Sequence, residues 1–351
     1  MRCSTVRPSE LGGPELERWR SLLDGSGVVA NPFLAPEFAI AVGAVRPEAR
    51  VTVFEEDGGI VGFFAHERHG AVARPIGHTL SDCEALVHAP GHAPAVAELL
   101  RRSGLAGWDF ECLVEGQLPP GAYRTQRQSS PIIELGEGYE AYIEALRGRS
   151  KKWFASTFRK QRKLEREVGE LRFEFESDDA EALEALKRWK SGQYAQLGEW
   201  DRFADPKIVR LVEDVVRSRA AGCSGALSVL YAGDRPIAAH AGLWSSSVLS
   251  WWLPAYDNDF GKYSPGILLL FQLAEAAAKR GVGTVDLGRG RHDYKDAMQT
   301  GDVVVCSGSV DAPSLGSLPR RAKRVAKAGL RPLVGADAPL GRKLRALAGR
   351  G

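Results

Sequence analysis

Two largely apolar stretches, Val51–Phe54 and Ile60–Glu67, flank the acidic, glycine-containing EEDGG, which predicts a β-hairpin. Pro94–Arg102 has a helical pattern closed by Gly104, and Trp108–Leu113 alternates as a strand. The second half repeats that order. Ala226–Tyr231, Pro236–Trp244 and Val248–Leu253 read as a three-stranded meander with turns at AGDR and SSS. The loop YDNDFGKYSPG then leads into an apolar helix, Ile267–Arg280, stopped by Gly281, and Thr284–Leu287 returns as a strand. Hairpin, loop, helix and strand therefore occur twice, and the repeat predicts a duplicated α+β (mixed α/β) unit. Tyr139–Val168 between the halves is helical in pattern, with further helices at Asp179–Leu197 and Pro206–Ala220 and a site-lining loop at LGEWDRF. These breaks divide the chain into a first half (1–138), a basic helical connector (139–172), a second half (173–312) and a tail (313–351).

The 351 residues are 44% hydrophobic and 26% charged, enough to bury a core and about right for two domains. No apolar run reaches the roughly 18 residues of a membrane span; Ile267–Ala278 is broken by Gln272 and Glu275. The N-terminal stretch has no apolar signal core. Five cysteines, widely spaced and without a CxxC pair, argue against a disulfide framework or structural zinc and suit a reducing cytoplasm. The net charge of +3 is unevenly spread. Residues 319–351 hold ten Lys/Arg against Asp337 alone, and 147–168 hold nine against Glu165 and Glu167. The tail reads as solubilising. The connector reads either as a solvated helix face or as a contact for polyanions.

Chemistry concentrates in two segments. Ser264-Pro265-Gly266 is a helix start, with Ser as N-cap and Pro at the first helical position. Gly266 there leaves room for an anion at the positive helix end, although a well-capped core helix has the same sequence. DLGRGRHDYKDAM follows, with Asp286 on the polar face of its strand. Arg289, Arg291, His292, Asp293, Tyr294 and Lys295 crowd just past the strand end, as a ligand-binding cluster or a charged turn. His240 shares a strand face with Ala238, Gly242 and Trp244, and reads as a structural histidine or as a base facing a ligand. No GxSxG, GxxxxGK[ST] or HExxH motif occurs, and the seven His lack metal-ligand spacing. No metal or permanently bound cofactor is expected.

The run LSVLYAGDRPIAAHAGLW, LPAYDNDFGKYSPGILLLFQLAEAAAKRGVGTVDLGRGRHDYKDAM resembles the second acyltransferase domain of CelD/BcsL-type proteins, GNAT-superfamily relatives of the FemABX peptidyltransferases. The shared features are the meander, YSPG opening the long helix, G-x-x-x-x-D-L-G-x-G on the next strand and YK shortly after. NPFLAPEF, the first hairpin and RPIGHTLSDCEAL extend the similarity more weakly into the first half. The resemblance implies a tandem GNAT-like acyltransferase fold, two similar halves with the site in the cleft between them. It implies acyl transfer to an amine, with Lys295 at the oxyanion or donor phosphate, Asp286 and His240 as bases or orienters beside Tyr294, and Asp82 binding the acceptor ammonium. Tyr263, Ser264 and Gly266 would cradle the donor, with Trp252, Tyr256, Arg289 and Arg291 as further binding residues. The Arg/Gln-x-x-Gly-x-Gly/Ala pyrophosphate loop is absent, so acyl-CoA (acetyl-CoA the simplest) and aminoacyl-tRNA both stand as co-substrates, the latter with a tRNA contact through the basic helix 147–168. A non-catalytic accessory role in polysaccharide or envelope assembly is the third reading.

Overall fold

The computed structural model describes residues 1–25, 30–117, 119, 122–220, 222–313, 317 and 320. The basic tail therefore lies outside the described residues, except for Pro313, Ser317 and Arg320. The first half runs β1 (Arg2–Val6), α1 (Gly13–Gly25), α2 (Pro36–Val45), β2 (Ala49–Glu56), β3 (Gly59–His69) and β4 (Val72–Pro75). It continues through β5 (Val87–His88), α3 (Val96–Arg102), β6 (Gly107–Val114) and β7 (Tyr123–Glu134). The connector is two helices, α4 (Tyr139–Arg149) and α5 (Lys151–Glu167), broken at Ser150. The second half runs β8 (Leu171–Glu174), α6 (Ala180–Leu197), α7 (Pro206–Arg217), β9 (Arg219–Ala220), β10 (Cys223–Ala232), β11 (Arg235–Trp244) and β12 (Val248–Tyr256). It closes with α8 (Pro265–Lys279), β13 (Thr284–Asp286), α9 (Asp293–Met298) and β14 (Gly301–Asp311).

Local chemistry explains the boundaries. Asp57 and Gly58 both take positive φ, 49° and 80°, the turn that matches the twist of the β2–β3 hairpin. The side chains of Asp179 and Asp205 accept backbone N–H bonds at the starts of α6 and α7, and Pro206 needs no donor at the first helical position. Helix α8 is apolar on nearly every side because it is enclosed: the sheet lies on one flank, and α4 and α5 on the other.

The fourteen strands form one sheet whose main path reads β1-β2-β3-β4-β6-β14-β7-β13-β12-β11-β10-β8, with β5 and β9 paired off it. The order is the same from either edge to the centre. In each half three antiparallel pairings precede one parallel pairing, β4 with β6 in the first and β12 with β13 in the second. Two similar mixed α/β halves are thus present, as the sequence predicts. The boundary at 138 does not separate them, because the two central strands are exchanged. β14, from the end of the second half, pairs with β6, while β7, from the first, pairs with β13; the two also pair with each other.

Helices α1, α2, α6 and α7 share one face of the sheet, over a single core that takes residues from both halves, among them Phe38, Val42, Leu211 and Val215. The opposite face carries two separate cores, one beneath α3 and one beneath α8. The exchanged strands predict that the halves fold together. A chain ending at Thr300 lacks β14, leaves the edges of β6 and β7 unpaired, and is expected to aggregate without a cooperative transition. Calorimetry and solubility check this, and a wild-type-like melt of the truncated chain would contradict it.

Candidate functional site

Asp286 ends β13 on the shared-core face and is buried. Its Oδ2 accepts a bond from Asn31 Nδ2 at 2.8 Å, and its Oδ1 accepts from Ser130 Oγ at 3.1 Å and the Gly288 N–H at 2.9 Å. One donor comes from the first half, one from the exchanged strand β7, and one from the loop that follows Asp286 itself. Burial raises the Asp286 pKa, and these donors work against that rise. With both oxygens engaged, Asp286 orients the junction; this corrects its reading as a free base.

The resemblance places Lys295 at the oxyanion or donor phosphate, which asks for an uncommitted ammonium. Instead Lys295 is buried, and two of its three donors hold the loop after β13, at Gly288 O (2.8 Å) and Arg289 O (3.1 Å). The loop is fixed in a conformation that includes Gly288 at φ 74°. Over that glycine lies Asp82 of the first half; a Cβ at position 288 would meet Asp82 Oδ2 at 2.9 Å. Asp82 is half-buried and makes no hydrogen bond or ion pair among the described residues. Burial, and then the charge of Asp286, push its pKa up to about 6, against the pull of Arg289, Lys295 and Arg202.

The Asp82 loop is held under strain. Thr79 sits at φ 70°, unusual for a β-branched residue. Trp252 Nε1 donates to Leu80 O at 2.7 Å, and Arg202 Nε approaches Thr79 O at 3.4 Å. Beyond Asp82, Glu84 Oε1 accepts the N–H groups of Glu111 and Cys112 at 2.9 and 2.6 Å. The backbone of Glu84 bonds with Cys112 and Val114, so the loop fills the space between the diverging β4 and β6. Burial pushes the Glu84 pKa up to about 7.

The second half differs. β12 and β13 pair only at Val248–Thr284, Leu249–Val285 and Ser250–Asp286, after which β12 runs on to Tyr256 paired with β11 alone. Trp251 and Trp252 together oppose only Gly242, a bulge in β12. His240 serves this bulge. Its Nε2 lies 3.0 Å from Ser250 O and 3.2 Å from the Trp252 N, and its ring stacks on Trp251 at 4.7 Å. A Cβ at Gly242 would lie 2.1 Å from the His240 ring, so the glycine makes room for histidine rather than for a ligand. His240 is fully buried on the α8 side, and burial lowers its pKa to about 3. That corrects its assignment as a catalytic base.

A second station forms where α8 begins. Ser264 takes the left-handed conformation, φ 60°, and its hydroxyl accepts a bond from Lys160 of α5 at 2.8 Å instead of capping the helix. The buried Tyr263 is committed to α5, donating to Glu167 Oε2 at 2.5 Å. Tyr256 covers Gly266, its ring 3.3 Å from where a Cβ would be. Arg291 is exposed and pairs with Asp296 at 3.1 Å, away from the junction.

The structure thus brings together Asp82, Asp286, Arg289, Lys295 and Trp252, and separates from them His240, Arg291 and the Tyr256–Gly266 group, with Tyr294 packed into the α8-side core beside Trp251. Sequence reasoning missed Asn31, Ser130, Glu84 and Lys190, whereas Arg202 lies in the LGEWDRF loop read as site-lining. Only Asn31 had a local signal, the Asn-Pro turn of NPFLAPEF, where its side chain also accepts the Phe33 N–H. Among the described residues no group of three or more His, Cys, Asp or Glu is placed to hold a metal ion, and no helix is long and apolar enough to cross a membrane.

Residues 152–296, from α5 into α9, match the acetyltransferase (GNAT) domain. No curated protein matches the chain. Among solved structures the chain is similar to FemX, with a TM-score of 0.60 and 9% identity over 91% of this chain and 99% of that one. It is similar to the C-terminal domain of a putative lysylphosphatidylglycerol synthetase from Agrobacterium fabrum, with a TM-score of 0.53 and 12% identity over 91% and 96%. It is also similar to L-PGS from Bacillus licheniformis, with a TM-score of 0.50 and 12% identity over 90% and 96%. At such identities the likeness is one of fold. The chain carries a GNAT acetyltransferase domain in a tandem GNAT-like fold and is a transferase.

Because Asp286 gathers donors from three segments, removing one leaves a buried carboxylate short of a partner. Asn31→Ala is expected to cost about 1–3 kcal/mol, read from urea unfolding. A change near zero would mean that the junction does not depend on Asp286.

Proposed function

We propose that the chain is an N-acyltransferase that joins an acyl group to an amine at the junction of its halves. The observation that carries this reading is Asp82: an unpartnered carboxylate from one half, set against the Gly288–Lys295 loop of the other. Such a group suits an incoming ammonium, and its raised pKa brings it nearer to that of the amine it must deprotonate. In the reaction the ammonium loses a proton to Asp82 and the amine nitrogen attacks the acyl carbon. The C–N bond forms, the carbonyl electrons move to oxygen, the nitrogen gives its second proton to water, and the oxyanion collapses with loss of the donor's thiolate or alkoxide, which takes the first proton back from Asp82. The opening between β12 and β13 suits the acyl end of the donor. Lys160, Ser264 and the start of α8 suit its phosphates. Lys295 holds the loop that faces Asp82, with one donor left for the reacting oxygen.

An acyl-CoA is the first candidate donor, and a CelD/BcsL-type enzyme working in the cytoplasm is consistent with the YSPG and DLGRG motifs and five free cysteines. A second reading, transfer from an aminoacyl-tRNA, is favoured by the exposed cations of α5, Lys151, Lys152, Arg159, Arg162, Lys163 and Arg166. Thermal-shift and product mass spectrometry with short- to long-chain CoA thioesters and with charged tRNA, each beside a panel of primary amines, test both. Turnover with neither donor rejects the acyltransferase reading.

Asp82 must be ionised to receive the ammonium, so kcat/KM is expected to rise with pH through about 6. Asp82→Asn is expected to abolish that limb and raise KM for the amine, and an unchanged profile would remove Asp82 from the site. Lys295→Ala is expected to lose about a hundredfold in kcat together with some Tm, since two loop carbonyls lose their donor. Full activity would make Lys295 a structural residue only.

A further inference from the structure

Past Ser250 the β13-facing edge of β12 is unpaired, and it carries a proline at position 254. The bond from the Asp257 N–H to Ile237 O (3.0 Å) marks Tyr256 and Ala238 as a pair whose own backbone groups point away from each other. Two residues back, Pro254 and His240 repeat that orientation, so the Pro254 backbone faces away from β11, toward the opening between β12 and β13. Proline has no N–H, and this stretch of strand cannot give a carbonyl the hydrogen bond that another residue would offer there. Lys190 of α6 supplies a cation at that point. Its Nζ donates to Pro254 O at 3.0 Å and makes no other hydrogen bond among the described residues, so two of its three N–H groups remain free. The ammonium lies over the Tyr194 ring at 5.5 Å, a ring shared with the Arg202 guanidinium at 4.8 Å, and Arg202 in turn reaches the strained Asp82 loop. Asp82 and Lys295 are both within its electrostatic reach.

We propose that Lys190 is a catalytic residue, its ammonium binding the oxyanion that forms when the amine attacks the acyl carbon, in place of the backbone N–H that Pro254 denies the strand. The assignment rests on the acyltransferase reading above. The carbonyl oxygen gains a full negative charge as the C–N bond forms and loses it when the leaving group departs. A cation tethered by one donor with two to spare favours that charged state over the neutral carbonyl. Burial and the neighbouring Arg202 lower the Lys190 pKa to about 8, which leaves it charged at neutral pH. Lys295 has one donor left for the same oxygen, so the two lysines share the task, with Lys190 bringing two donors to it.

The test uses the full chain with the donor–amine pair that turns over among CoA thioesters, charged tRNA and primary amines. Lys190→Met and Lys190→Gln are expected to lose about a hundredfold or more in kcat, with KM for the amine unchanged and Tm not lowered, while Lys190→Arg retains part of the rate. Pro254→Ala restores a strand N–H and is expected to recover about tenfold of the rate in the Lys190→Met background. A role for Lys190 in merely tethering β12 would not produce that rescue. Lys190→Met and Lys190→Gln with wild-type kcat overturn the proposal while leaving the acyltransferase reading intact. So does a loss of rate that Pro254→Ala does not relieve. A wild-type chain that transfers no acyl group overturns both.

Discussion

A buried carboxylate with three donors from three separate stretches of chain is a demanding object, and the rest of this molecule is arranged around one. Asp286 needs Asn31 from the loop before α2, Ser130 from β7 and Gly288 from its own loop. A carboxylate removed from water is costly unless its oxygens are satisfied, so these segments must arrive together. The exchange of β7 and β14 provides for this. It threads a strand of the first half beside β13 and places Ser130 two residues from the Ile132 that pairs with Asp286. The loop after β13 can then turn back with Lys295 as its clasp. The cleft is built as a consequence of satisfying one buried charge.

Duplication gives the molecule two places where parallel strands diverge, and the halves treat them differently. Between β4 and β6 the chain inserts its own segment, latched by Glu84 onto the backbone of Glu111 and Cys112. Between β12 and β13 no segment pairs with the backbone among the described residues, and a bulge supported by His240 shapes β12 there. The filled space is what presents Asp82: without the latch the strained turn at Thr79 would have no reason to persist. On the proposed reading, one half is the frame that carries the acceptor-binding group and the other receives the donor.

The repeat itself was legible in the sequence. Apolar stretches around the turns of the β2–β3 hairpin and the β10–β12 meander, and the apolar helix α8 with its Ser-Pro-Gly start, reveal elements whose burial pattern is local. The exchange was not legible. β7 reads YRTQRQSSPIIE, polar over two-thirds of its length because that part is largely exposed, and no alternation marks it as central. His240 shows how a correct local observation misleads. Small neighbours on its face do make room, but the room is taken by the imidazole itself, against Gly242. Lys190 had no signal at all, since KRWKSGQY reads as an ordinary solvated helix face. Its significance depends on Pro254, which reaches it only through the packing of α6 on β12.

The cleft gathers charges of both signs in a poorly hydrated space: Asp82, Asp286 and Glu84 on one side of the balance, Lys190, Lys295, Arg202 and Arg289 on the other. In such a setting burial disfavours charge, which is why Asp82 and Glu84 are pushed up and Lys190 is pushed down, with the neighbouring charges modifying each shift. Burial raises Asp286 as well, but there three neutral donors work against the rise by favouring its charged form. Asp82 has no such donors, and its charge is compensated only through space. An ammonium ligand would supply the missing partner, bringing the cluster nearer to balance on binding. The arrangement is then poised by what it leaves unsatisfied: the junction closes fully around Asp286 so that Asp82, a few ångströms away across Gly288, can remain open.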